Sequence, residues 1–169
     1  MPVEVAFAGR QTSRIENDAR IQLDEPVKSL LLQKGSGVWS VSPDSTVYEA
    51  IEQMAERGVG ALVVMRDRKM EGIISERDYA RKVILNNKLS HETTVREIMT
   101  APAVFVGPED SVNNCMRLMT ANRVRHLPVL EGERVAGVLS IGDLVSWIIG
   151  SHEQTIQQLQ SYITGSYPA

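Results

Sequence analysis

The chain has 169 residues, 43% hydrophobic and 23% charged, with a formal net charge of −3, which suffices for one real core or for two small units sharing one. No run approaches the ~18 apolar residues of a transmembrane span, and the acidic balance argues against non-specific nucleic-acid binding as the main task. One cysteine, Cys115, excludes a disulfide framework, and the N-terminal stretch has an acid where an export signal has a basic lead, so a cytoplasmic protein is expected.

Residues 1–23 show mixed charge and weak periodicity and are set apart as an N-terminal arm. A short apolar stretch, Val27 to Leu32, precedes the Gly35-Ser36-Gly37 break. Val38 to Val41 then reads as a strand, and Ser42 to Thr46 as a helix start. Val47, Ala50, Ile51, Met54 and Ala55 recur at the three and four spacing of one buried helical face. Gly58 and Gly60 close that helix, Ala61 to Met65 is a strand, Arg66 to Lys69 a polar turn, and Met70 to Ile74 the return strand. Ser75 opens a further helix through about Leu85. The unit is β-α-β-β-α.

After a polar connector at 86–92 and the segment Val95 to Thr100, the same order returns. Strand Val104 to Val106, helix Val112 to Ala121, strands Leu127 to Leu130 and Val135 to Leu139, and helix Ile141 to Ile149 follow in turn. The repetition is literal. Gly72-Ile73-Ile74-Ser75-Glu76-Arg77-Asp78 returns as Gly137-Val138-Leu139-Ser140-Ile141-Gly142-Asp143, and the same 65-residue offset superposes Val41 on Val106, Met54 on Met119, Leu62 on Leu127 and Val64 on Val129 without a gap. Two copies of so small a unit are expected to pack face to face about a pseudo-twofold axis, with the binding site between them. The chain then divides into 1–23, 24–90, 91–149 and a 150–169 tail. In that tail Ile156, Leu159 and Ile163 form a helical stripe that needs a partner, from this chain or a second subunit.

Ser75 with Asp78, and Ser140 with Asp143, have the spacing of a helix capping box, which is one sufficient reason for their presence. Cys115 falls at an apolar position of its helix and reads as a small core residue. Of the histidines, His91 and His152 lie in polar segments, and no pair has metal-ligand spacing. Paired carboxylates, a nucleophile with its base, and a metal cluster are all missing from the sequence pattern, so no enzyme is expected.

The tandem Gly-x-x-Ser-x-x-Asp endings, the Val95-Arg96-Glu97-Ile98-Met99-Thr100 connector and the Arg125-His126-Leu127-Pro128-Val129 strand entry together resemble a pair of cystathionine β-synthase (CBS) domains, a Bateman module, of the stand-alone kind. The resemblance covers about residues 24 to 149. It implies an α+β (mixed α/β) fold of two β-α-β-β-α repeats, clefts for adenosine-containing ligands such as AMP, ATP or NAD, and a homodimer. On that reading Ser75, Asp78, Ser140 and Asp143 meet ribose hydroxyls, a role compatible with capping. Arg77, Arg123, Arg125 and His126 meet phosphate, while Arg81 and Lys82 add charge nearby. An apolar slot for the base falls to Val38, Val41, Val104, Val106, Ile74 and Leu139, with Trp39 either a stacking platform or a core or interface residue. Because Arg123, Arg125 and His126 correspond to Gly58, Gly60 and Ala61, the two clefts are expected to differ in affinity. The implied function is a sensor whose bound state biases its own dimer or a regulated partner; the other reading is a constitutive dimerisation scaffold whose clefts no longer bind.

Overall fold

The computed structural model describes residues 23–35 and 37–164, with only the backbone described at 152, 154–156 and 158–164. The N-terminal arm therefore falls outside the described residues, apart from its last member, and so do the side chains of Ile156, Leu159 and Ile163.

Helix α1 spans Val27–Lys34 and is followed by the short strand β1, Ser40–Val41. Helix α2, Val47–Arg57, starts where Thr46 and Glu49 form a reciprocal capping box, and stops where Gly58 turns left-handed at φ 63°. Strands β2, Ala61–Arg66, and β3, Lys69–Ser75, form an antiparallel hairpin, and β1 adds to β2 in parallel. The turn narrows to Asp67 and Arg68, both at positive φ, as a two-residue hairpin requires. Helix α3, Glu76–Lys82, is shorter than the sequence pattern implies: it ends at the buried Val83, and the chain continues as a 3-10 turn, Ile84–Asn86.

The second unit repeats this with α4, Val95–Ile98, ahead of it. It comprises α5, Val112–Asn122, strands β4, His126–Glu131, and β5, Arg134–Ser140, and helix α6, Ile141–Thr164. The expected strand Val104 to Val106 shrinks to a single parallel bridge, Val106 to Val129. It keeps the register of its counterpart, since Val41 pairs with Val64. Even the irregularity in the hairpin recurs, between Val64 and Met65 and again between Val129 and Leu130. Gly150 does not end α6; one glycine costs a helix only ~1 kcal/mol relative to alanine, and the helix passes through it.

The cores repeat as well. Val41, Val47, Ala50, Met54, Leu62, Val64 and Ile74 cluster in the first unit, and Val106, Val112, Cys115, Met119, Leu127, Val129 and Leu139 in the second. Cys115 thus stands where Ala50 stands, and burial, followed by the charge of Asp110, pushes its thiol up to about 11. That is a packing residue, not a nucleophile.

The segments that lead into the units are exchanged. Val27 and Leu30 of α1 belong to the core of the second unit, and Val95 and Ile98 of α4 to the core of the first. The hydrogen bonds match pair by pair: the Val27 amide donates to the Asp110 carbonyl at 2.8 Å and the Val112 amide to Glu25 at 3.0 Å, as the Val95 amide donates to Ser45 at 2.9 Å and the Val47 amide to Thr93 at 2.8 Å. Residues 24–34, grouped by sequence with the first unit, therefore complete the second. Each segment docks over a strand glycine: a Cβ at Gly72 would lie 2.6 Å from the Thr100 carbonyl oxygen, and one at Gly137 2.6 Å from Leu31 Cδ2.

Candidate functional site

Both Ser-x-x-Asp motifs are capping boxes. The Ser75 amide donates to Asp78 Oδ2 at 3.0 Å and the Asp78 amide to Ser75 Oγ at 3.3 Å. The Ser140 amide donates to Asp143 Oδ2 at 2.7 Å and the Asp143 amide to Ser140 Oγ at 3.1 Å. Beyond the cap the two carboxylates differ. Asp78 also accepts from Ser75 Oγ at 2.8 Å and Thr100 Oγ1 at 3.3 Å and pairs with Lys82 at 2.8 Å, which leaves its side chain 12% exposed. Asp143 is 22% exposed and faces a cavity of about 390 Å³, within the roughly 300–1,000 Å³ range of small-molecule pockets.

This first cavity lies between the units. Gly58, Val59, Gly60 and Ala61 form one side, His126, Val138, Ser140 and Asp143 the other, and Lys34, Gly35, Gly37 and Trp39 line the linker side. Gly60 makes room for the His126 ring: a Cβ there would sit 3.3 Å from His126 Cε1, a tight contact. Trp39 lies under the Arg57 guanidinium, 4.1 Å from the ring centroid, and remains 39% exposed. Lys34 places its ammonium 2.5 Å from Asp143 Oδ2 and 2.7 Å from the Val138 carbonyl. Burial pushes the Asp143 carboxyl up, but hydrogen bonds from Lys34 and Ser140 outweigh it and hold the group below the usual carboxylate value. His126 is held below its ordinary value by burial and then by the charge of Lys34, with Arg125 adding and Asp143 opposing.

A second cavity, about 340 Å³, is lined by Arg77, Arg81, Met119, Thr120, Arg123, Val124, Arg125 and Ile141. The four residues expected at phosphate therefore separate, with His126 in the first cavity and Arg77, Arg123 and Arg125 in the second. The residues expected at the base stand apart from both cavities. Ile74 and Leu139 are wholly buried and Val41 and Val106 nearly so, each within a core cluster, and neither they nor Val38 and Val104 line a described cavity. The apolar side chains that line the first cavity are those of Trp39, Val59, Ala61 and Val138. Lys34 escaped notice in the sequence because its relation to Asp143 spans 109 residues. Its one local signal is its place as a cation in the last turn of α1.

Among the described residues no group of histidine, cysteine and carboxylates could hold a metal ion, and no helix is long and apolar enough to cross a membrane.

Comparison with known proteins agrees with the repeat. The CBS domain family model matches residues 35–85 and 95–150. The chain is 42% identical over 138 residues to the mitochondrial CBS domain-containing protein CBSX3 of Arabidopsis thaliana, covering 79% of this chain. Among solved structures, a Burkholderia ambifaria protein with CBS domains, named for signal transduction, is 46% identical with a TM-score of 0.72 over 75% of this chain and 95% of its own. The CBS domain protein NE2398 is 46% identical with a TM-score of 0.71 over 74% of this chain and 98% of its own. The chain spans 66% of the length of the Arabidopsis relative and 52% of that of a Thermofilum pendens relative.

Proposed function

The chain belongs to the CBS domain family as a tandem pair, and from that premise we propose that it is a regulatory module that binds an adenosine-containing ligand, AMP, ATP or NAD, in the first cavity. The observation that carries this reading is the Asp143 carboxylate, ionised, partly exposed and turned to a cavity walled by both units. A carboxylate so placed accepts hydrogen bonds from two vicinal ribose hydroxyls, with Ser140 beside it. Trp39 and Val138 offer the base an apolar wall, and Lys34 and His126 are the cationic or donor groups within reach of a phosphate. Because the cavity borrows surface from both units, occupancy favours the arrangement in which they are closed together, and a ligand shifts a population only by such a difference in affinity.

Calorimetric titration with AMP, adenosine and NAD tests it, on the wild type and on Asp143→Asn, which keeps an oxygen for the cap. Loss of one charged hydrogen bond predicts weakening by roughly 1.5 to 3 kcal/mol, about ten- to a hundredfold. Wild-type affinity in Asp143→Asn would leave Asp143 a cap alone.

A dimerisation scaffold is the second reading, and α6 favours it. Ile141, Val145 and Ile149 stand one turn apart at 39%, 46% and 54% exposure, an apolar row that suits the same helix of a second copy. Sedimentation of Val145→Glu as a monomer, with the wild type a dimer, would support that surface in either reading.

A further inference from the structure

We infer that Lys34 is a built-in occupant of the first cavity, a clasp that a nucleoside must displace and whose release frees the end of α1. The inference rests on the reading of that cavity as an adenosine site and adds its regulation. Asp143 Oδ2 accepts from the Ser140 amide at 2.7 Å and from Lys34 Nζ at 2.5 Å, and a carboxylate oxygen has two lone pairs. Both are taken. A vicinal diol donates two hydrogen bonds, and it can spread them over both oxygens of Asp143 only when the ammonium leaves Oδ2.

The first unit shows what the clasp replaces. Its lead-in helix α4 ends at Ile98, so Thr100 runs beside β3 and exchanges two backbone hydrogen bonds with Ile73, at 2.8 and 3.1 Å, while its hydroxyl donates to Asp78 at 3.3 Å. In α1 the buried residue that matches Ile98 is Leu30, yet the helix continues to Lys34. The chain is then helical where the first unit has its bridge, and a side chain takes over: Lys34 Nζ donates to the Val138 carbonyl at 2.7 Å and to Asp143. Val138 and Asp143 are the counterparts of Ile73 and Asp78 under the 65-residue offset. One ammonium thus serves both acceptors that Thr100 serves with its backbone and its hydroxyl. A backbone bridge between packed segments opens only with local unfolding, whereas a partly exposed ammonium exchanges partners with a ligand or with water. The start of α1 stays anchored by Val27 and Leu30 in the core and by the Val27 and Lys28 amides on the Asp110 and Pro108 carbonyls, so release is confined to the last turn.

Calorimetric titration of the full chain with adenosine, which is uncharged, tests this together with amide exchange at Gly35, whose N–H closes α1 on the Leu31 carbonyl at 2.9 Å. Lys34→Met removes the ammonium and keeps a helix-forming side chain of similar length. It should bind adenosine roughly three- to tenfold more tightly than the wild type. Added salt, which loosens the ion pair, should tighten adenosine binding to the wild type and leave Lys34→Met unchanged. Saturating adenosine should speed exchange at Gly35 in the wild type to the rate that free Lys34→Met already shows, with the Val27 and Lys28 amides unmoved. The clasp is overturned if Lys34→Met binds adenosine no more tightly than the wild type, or if exchange at Gly35 does not rise on binding. A Lys34→Met whose exchange is faster throughout α1, with no gain in affinity, gives Lys34 a structural role only and also overturns it. Binding by Lys34→Met alone supports the clasp, whereas binding by neither protein sinks the reading of the first cavity and the clasp with it.

Discussion

Lys34, the last residue of α1, holds its ammonium 2.5 Å from the carboxylate of Asp143, so the segment that precedes the first unit is tied to the candidate ribose acceptor of the second. A ribose that takes Asp143 competes with this ion pair, while a phosphate in the same cavity would give Lys34 a new partner. On the proposed reading, occupancy and the position of α1 are coupled.

Replacing Lys34 by alanine should therefore separate adenosine from AMP. Adenosine loses a competitor and binds as well or better, whereas AMP loses a cation, so the ratio of AMP to adenosine affinity should drop by about tenfold. Parallel calorimetric titrations measure that ratio. An unchanged ratio would place the phosphate elsewhere.

Asp143 also predicts behaviour in acid. Its folded pKa lies below the ordinary value of 3.8, so its contribution to stability is present above about pH 4 and is lost as pH falls through the lowered folded value. Asp143→Asn should be less stable than the wild type near neutrality and lose less on going from about pH 5 to pH 3. Urea denaturation across that range shows whether the two curves converge.

His126 acts in a higher window. Its folded pKa is lowered from 6.5, by burial first and then by Lys34 and Arg125, so the neutral ring is the form the folded state accepts. Its contribution is intact above about pH 6.5 and declines below it, toward the lowered folded value, as the unfolded state takes up the proton more readily. The thermal midpoint of His126→Gln should vary less than that of the wild type between about pH 7.5 and pH 5.5. Identical slopes would assign the dependence to other groups.

The two docking glycines should respond unequally to alanine. At Gly72 the new methyl meets a backbone carbonyl oxygen at 2.6 Å, whereas at Gly137 it meets the end of a leucine side chain at the same distance. A side chain changes rotamer more cheaply than a backbone moves. Gly72→Ala should cost about 1 to 3 kcal/mol, Gly137→Ala less, and Leu31→Ala added to Gly137→Ala should be less damaging than the sum of the two. Chemical denaturation of the four proteins checks the order and the non-additivity.

The repeat, the helix starts and most of the buried residues were legible in the amino-acid order, because each depends on neighbours within a few positions. Periodicity marked Val47, Ala50 and Met54 as one face, the Ser-x-x-Asp spacing marked both caps, and the 65-residue offset carried a known element onto its copy, down to the register of Val106 on Val129. What tertiary structure alone decided were the relations that cross the chain. The sequence placed α1 with the unit it adjoins, but burial of Val27 and Leu30 was available only in the other one, whose own lead-in had gone to the first. Arg125 and His126 are adjacent, yet successive residues of an extended chain project to opposite faces, so they entered different cavities. Asp78 and Asp143 have equivalent places in identical motifs, and their fates diverged because Thr100 and Lys82 surround one while a cavity opens beside the other. Local spacing names a side chain's chemistry, whereas its exposure and its partners come from segments tens of residues away.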